Sequence, residues 1–190
     1  MKSHPGDRVQ DWGADEYRRL FFALWPGRRV REELHRIARG IAPAGARLVR
    51  KENLHLTLAF AGRVGPRAAD CLCRAASRLR IRPFDLLLDQ SGWFPRSRVQ
   101  WLAPAETPPE LVLLAGRLNQ ALDHCGLTME TRPFRAHLSI ARKLDGHPPP
   151  PARFLPPAWH VDRFTLVEST LLPGGVRYRP VAEWPLRRSG

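Results

Sequence analysis

Two short segments of this 190-residue chain carry the same arrangement of side chains: His55-Leu56-Thr57-Leu58 and His137-Leu138-Ser139-Ile140. On an extended strand, residues i and i+2 point to the same face. His55 and Thr57 therefore project together, with Leu56 and Leu58 entering the core behind them. His137 and Ser139 do the same, backed by Leu138 and Ile140. The other histidines act as an internal control. His4, His35, His124, His147 and His160 are followed two residues later by Gly6, Ile37, Gly126, Pro149 and Asp162, none of them a hydroxyl. Composition alone would produce an occasional match, so the spacing is a weak signal by itself. It gains weight because both matches sit in apolar strand patterns at comparable places in the two halves of the chain. Singly, each histidine also reads as a half-buried strand residue donating to a backbone carbonyl; the pair reads as function.

The chemistry that suits such a pair is opening of a cyclic phosphodiester. One group must take a proton from attacking water and another must give one to the departing alkoxide. Two imidazoles can share those roles near neutral pH, one neutral and one charged. The hydroxyls can donate to non-bridging oxygens as charge builds on phosphorus. Metal chemistry is disfavoured by spacing: no histidine lies three to five residues from another ligand-type histidine, and Cys71-x-Cys73 has no partner pair. Cys71 and Cys73 point to different sides of a helix and read as ordinary small residues. Cys125, beside His124, lacks an acyl-transfer context.

The elements that must position these residues follow from periodicity. Met1–Glu16 has none and reads as a loose arm. Arg18–Trp25 reads as a strand, Arg28–Ile41 as an amphipathic helix, Leu54–Phe60 as a strand and Arg67–Leu79 as a second helix. Phe84–Leu88 and Val99–Leu102 read as strands flanking a loop that holds Gly92, Trp93, Phe94 and Pro95. Pro108–Cys125 reads as a helix stopped by Gly126, and Phe134–Ala141 as a strand. Asp145–Pro157, with four consecutive prolines, reads as an exposed loop. Val161–Leu171 and Val176–Trp184 close the chain as a hairpin. Without long βαβ crossovers, this predicts an α+β fold with antiparallel sheets. The domain reading is a flexible arm at 1–17, one two-lobed domain at 18–186 and a tail at 187–190.

Charge narrows the partner. Lys plus Arg number 31 and Asp plus Glu 18, a net charge of +13. Lys2, Lys51 and Lys143 are the lysines; all other bases are arginines. A polyanionic partner is one reading, since arginine forks match phosphate oxygens two at a time. An arginine-rich coding bias on solvated faces is the other. No apolar run approaches the roughly 20 residues that cross a bilayer, and the N-terminus lacks an apolar signal segment. Three cysteines, an odd number, argue against a disulfide framework and for a reducing, cytoplasmic setting.

HLTLAFAG at 55–62, SRVQWL at 97–102, RPFRAHLSIAR at 132–142 and RLFFAL at 19–24 closely resemble the bacterial and archaeal RNA 2′,3′-cyclic phosphodiesterases. These are also called 2′-5′ RNA ligases and belong to the two-histidine phosphoesterase superfamily. The resemblance runs from about Arg18 to Leu186. It implies a bilobal fold of two antiparallel sheets flanked by helices, a pseudo-twofold repeat, and an active-site groove between the lobes. It implies hydrolysis of a terminal 2′,3′-cyclic phosphate to a 2′-phosphate, with 2′-5′ ligation as the reverse. His55 would be the proton donor and His137 the acceptor, with Thr57, Ser139 and Arg142 on the phosphate. Ser139 stands where threonine is usual, which keeps the donor. Arg142, at an odd offset from His137, faces the wrong way unless the strand ends or bends by Ala141; otherwise it is a surface arginine. Arg96, Arg98 and Arg135 are further substrate-binding candidates, and Phe94 or Trp93 could stack on a base. The resemblance implies no cofactor or metal, and as partner an RNA with a cyclic phosphate or a 2′-5′ linked end. A monomer with no membrane association is expected. A phosphodiesterase for a small cyclic phosphate nucleotide and a non-catalytic RNA-binding module are the alternatives.

Overall fold

The computed structural model describes residues 16–144, 153–173 and 175–187. The N-terminal arm before Glu16, most of the proline loop and the last residues of the tail lie outside the described residues. In chain order, the first half runs β1 (Arg18–Leu24), α1 (Arg28–Ile41), β2 (Arg47–Leu48), a 3-10 turn (Lys51–Asn53), β3 (Leu56–Val64) and α2 (Pro66–Ser77). Then come β4 (Phe84–Leu86), β5 (Gln90–Phe94), β6 (Val99–Ala103), α3 (Pro109–His124) and β7 (Leu138–Arg142). The chain closes with β8 (Trp159–Val161), β9 (Arg163–Leu172) and β10 (Gly175–Pro185).

The run LFFAL is apolar on both faces, which suits a central strand. β1 accordingly lies between β3 and β9, antiparallel to both. Leu20, Phe22 and Leu24 enter the main core, where Leu34 and Ala38 of α1 and the buried stripe Leu111, Leu114, Ala115, Leu118 and Leu122 of α3 cover them. Phe21 and Ala23 turn to the opposite face and pack with Val167, Trp25 and Tyr178. The helices thus occupy one side of the sheet, and a small aromatic cluster occupies the other.

The expectation of two separate sheets needs correction. Among the described residues one eight-stranded sheet has the order β10-β9-β1-β3-β7-β6-β5, with β2 also paired to β7, and a second sheet holds only β4 and β8. The halves fuse because β3 and β7 meet at one antiparallel pair, Leu56 with Leu138, both wholly buried. The stretch at Gly92–Pro95, read as a loop from its glycine and proline, is mostly strand β5. Trp101 of the neighbouring β6 lies across Gly92, where an added Cβ would come within 2.3 Å of the indole. The missing side chain makes room for the ring and keeps the strand.

The cysteine expectation is overturned as well. Cys71 of α2 is bonded to Cys125 just beyond α3, with Cα atoms 5.8 Å apart and a sequence separation of 54. Helix packing brings together two residues that composition could not pair. Cys125 is therefore no candidate nucleophile, and the cysteine count no longer argues for a reducing compartment. Cys73 remains free and half-buried; burial first, then Asp70, pushes its thiol up to about 11. No helix among the described residues is long and apolar enough to cross a membrane.

Candidate active site

His55 and His137 each stand one residue ahead of their strand, and the reason is local. The His55 Nδ1–H donates to the Asn53 carbonyl at 2.7 Å, and the His137 Nδ1–H donates to the Arg135 carbonyl at 2.9 Å. Each ring bonds back to residue i−2, which turns the backbone before the ladder begins. A carbonyl only accepts, so both rings carry their neutral-state proton on Nδ1 and present Nε2. A bare Nε2 is a proton acceptor, and a protonated one is a donor.

The Leu56–Leu138 pair sets the layout. In an antiparallel ladder the flanking residues lie opposite one another in reverse order, so His55 falls across from Ser139 and His137 across from Thr57. All four side chains share the face that Leu56 and Leu138 leave free. Among the described residues neither hydroxyl is engaged by another protein group, so both are available to a ligand.

The odd offset of Arg142 is resolved by a bulge. On β6, Trp101 pairs with Ser139 and Val99 pairs with Arg142, with a register shift between Gln100 and Trp101. Trp101 and Val99 are two apart and share a face; Ser139 and Arg142 are three apart and share it too. Ile140 is the extra residue, and both Ile140 and Ala141 are wholly buried. The strand thus bends before Arg142, and Arg142 lines the same pocket as Ser139 and His55.

That pocket has a volume of about 250 Å³. Arg47, Arg50, Arg142 and Lys143 make its lining basic, while Asn53, Val176 and Tyr178 complete the His55 side. Phe21 lies 5.0 Å from the His55 ring, Trp25 stacks on it nearly parallel at 5.4 Å, and Tyr178 meets it edge-on at 5.0 Å. Burial among these rings lowers the His55 pKa from 6.5 to about 4. The bond to Asn53 opposes this, and the positive charges of Arg142 and His137 add to it. His137 is more open and touches Phe94, whose ring is perpendicular to it at 5.0 Å.

This fold and these residues have close counterparts. A family model described as LigT like Phosphoesterase matches residues 24–101. The chain is 36% identical over 175 residues to the RNA 2′,3′-cyclic phosphodiesterase of Escherichia coli K12, covering 90% of this chain and 98% of that protein. The chain belongs to this LigT-like phosphoesterase family. A second member, the RNA 2′,3′-cyclic phosphodiesterase of Thermotoga maritima, is 30% identical, over 87% of this chain and 94% of its own. The solved structure of E. coli LigT complexed with 3'-AMP superposes with a TM-score of 0.83 at 35% identity, covering 90% of this chain and 99% of that one.

Within this phosphoesterase site the other sequence candidates separate. Phe94 is on the site face; Trp93, one residue earlier, points the other way. Arg98 has φ 54 and its Nε donates to the Leu144 carbonyl, which ties the β5–β6 turn to the segment after Arg142. Arg96 is exposed on the same turn, and Arg135 is exposed while its carbonyl holds His137. Asn53, Trp25, Tyr178, Arg47, Arg50 and Lys143 were not anticipated. Alternation along LFFALW does place Phe21, Ala23 and Trp25 on one face, a signal for the aromatic wall. Nothing comparable marks the hairpin residue Tyr178. No group of three or more His, Cys, Asp or Glu among the described residues could hold a metal ion.

Proposed function

We propose that this phosphoesterase hydrolyses RNA 2′,3′-cyclic phosphate ends to 2′-phosphates by metal-independent acid–base catalysis between His55 and His137. The observation that carries this reading is the Leu56–Leu138 pair, which puts two imidazoles with free Nε2 atoms on one face beside two hydroxyls. His137 Nε2 takes a proton from water as its oxygen attacks phosphorus. The bond from phosphorus to the 3′ oxygen breaks, and His55 Nε2–H gives that oxygen its proton. Thr57, Ser139 and Arg142 hold the non-bridging oxygens, whose negative charge grows in the five-coordinate transition state. Ligation across a 2′-5′ linkage is the same path reversed.

The depressed pKa of His55 bears on the roles. Burial keeps it neutral at pH 7, so as a donor it must gain its proton together with the substrate, whose anionic phosphate offsets the new charge. A neutral buried imidazole equally suits the acceptor role, and this one observation favours the exchanged assignment.

Incubation with an oligoribonucleotide ending in 2′,3′-cyclic phosphate, in EDTA, tests the reaction. The expected product is a 2′-phosphate, with turnover reduced about 10²- to 10⁴-fold in His55→Ala and in His137→Ala. Undiminished turnover in either variant, or dependence on added divalent metal, overturns the reading. A phosphodiester with a phenolate leaving group separates the roles. Phenolate departs without a proton, so loss of the donor histidine costs little on that substrate, and loss of the acceptor still costs in full.

A further inference from the structure

We infer that Asn53 is a positioning residue that locks His55 from the β9–β10 hairpin. Its backbone carbonyl accepts the His55 Nδ1–H at 2.7 Å, and its side-chain Nδ2 donates to the Val176 carbonyl at 3.1 Å, across 123 residues of sequence. Asn53 ends a three-residue 3-10 turn with no side-chain cap, too short to fix its own carbonyl. The amide supplies the fixing from outside. β10 is an edge strand, so a carbonyl on it is available to a side chain without taking a bond from a neighbouring strand.

The same stretch of hairpin also braces the ring. Tyr178, two residues after Val176, meets the His55 ring edge-on at 5.0 Å. The carbonyl that orients the imidazole and the ring that walls it are thus referred to one strand. The arrangement is one-sided. Arg135, the counterpart of Asn53 two residues before His137, also holds its histidine by a carbonyl, but its side chain is exposed and anchors nothing among the described residues. His55 is therefore held to a fixed geometry and tautomer, while His137 has only its local turn.

The consequence is specific to the chemical step. Without the tether the 51–53 turn relaxes, the carbonyl leaves Nδ1, and the proton is shared between the two ring nitrogens. Nε2 is then the free nitrogen for only part of the time and no longer fixed in direction. Misplacement of a reacting group on this scale costs roughly 10- to 100-fold in rate.

The inference rests on His55 acting on the phosphodiester, and its test has an arm that does not. In the free protein, nitrogen-15 NMR of the imidazoles is expected to show His55 with a protonated Nδ1 and a bare Nε2. In Asn53→Ala and in the isosteric Asn53→Asp, which cannot donate to Val176 at neutral pH, that signal is expected to move toward an average of both tautomers. On the cyclic-phosphate oligonucleotide, kcat is expected to fall roughly 10- to 100-fold with KM within about twofold. Should Asn53→Ala fail to fold, Asn53→Asp and the wild-type tautomer still decide. Wild-type His55 without a fixed Nδ1–H overturns the inference. So does full kcat in the folded variants, or a kcat loss with the tautomer signal unmoved. A wild type inactive on cyclic phosphates overturns the proposed function and leaves the tautomer result standing.

Discussion

Leu56 and Leu138 face each other across the junction of β3 and β7, and that single buried pair acts as a local twofold axis for the site. One residue before each leucine is a histidine and one after is a hydroxyl. The symmetry extends further along both strands. β3 has a register shift against β1 between Phe22 and Ala23 that makes Leu58 the extra residue, just as Ile140 is extra on β7. Beyond the bulges the equivalence breaks: Phe60 stands on β3 where Arg142 stands on β7. Phe60 is exposed and lies under Arg19. The symmetric frame therefore carries an asymmetric charge, and on the proposed mechanism a cyclic phosphate would have one preferred side.

The acid limb of kcat/KM should lie well below the ordinary imidazole value. One histidine must be neutral and the other charged, so the profile is a bell whichever does which. Its lower limb reports the lower free-enzyme pKa, and burial puts His55 at about 4. In kcat the same limb should move up, because a bound anion favours the charged ring. Stability follows the same group. An unfolded His55 takes its proton as pH drops below 6.5 and the folded one only near 4, so stability is whole above 6.5 and declines between these values. Rate profiles and denaturant titrations from pH 4 to 8 check both, and an acid limb of kcat/KM near 6.5 would contradict the burial of His55.

Arg142→Gln should lower kcat/KM by about 10²-fold, the scale of one lost transition-state donor. It should also raise the acid limb, because a positive charge opposing His55 protonation has gone. Arg142→Lys keeps the charge without the planar fork, so it should restore the limb and only part of the rate. Deleting Ile140 tests the bulge: it leaves Ser139 and Arg142 two apart, so a regular strand keeps Arg142 on the site face and kcat/KM should fall by less than in Arg142→Gln. A deletion variant that folds and loses as much as Arg142→Gln would show that Ile140 is not simply the extra residue that sets the facing of Arg142.

Much of this frame was legible because it rests on local patterns. The alternation in HLTL and HLSI, the helical spacing of Leu111, Leu114 and Leu118, and the central-strand character of LFFAL each fix an element and a face. What escaped reading depends on partners distant in sequence. The bulge at Ile140 exists only relative to β6, so alternation alone turned Arg142 away from the site. Gly92 looks like a loop residue until Trp101 is laid across it. Asn53 carries no sign of its bond to Val176, and Tyr178 joins His55 only through the pairing of β9 with β1. Two separate sheets were a fair inference from two motifs, and one pair of leucines joins them.

The Cys71–Cys125 bridge should set stability and leave chemistry alone. It links α2 to the end of α3, in the helix layer behind the sheet, whereas the histidines face the other side. Cross-linking residues 54 apart removes chain entropy from the unfolded state worth about 4 kcal/mol in the loop-closure model. Thiol titration of the unreduced, denatured protein should therefore find Cys73 alone, and all three cysteines after reduction. In the folded protein Cys73 itself should react slowly, since its thiol is raised to about 11. Reduction, or Cys125→Ser, should lower the unfolding midpoint with kcat at 25 °C unchanged. Three reactive thiols in the oxidised, denatured chain would show that the helices are not bridged. A fall in kcat on reduction at full foldedness would show instead that α3, which packs on β3, transmits the state of the bridge to His55.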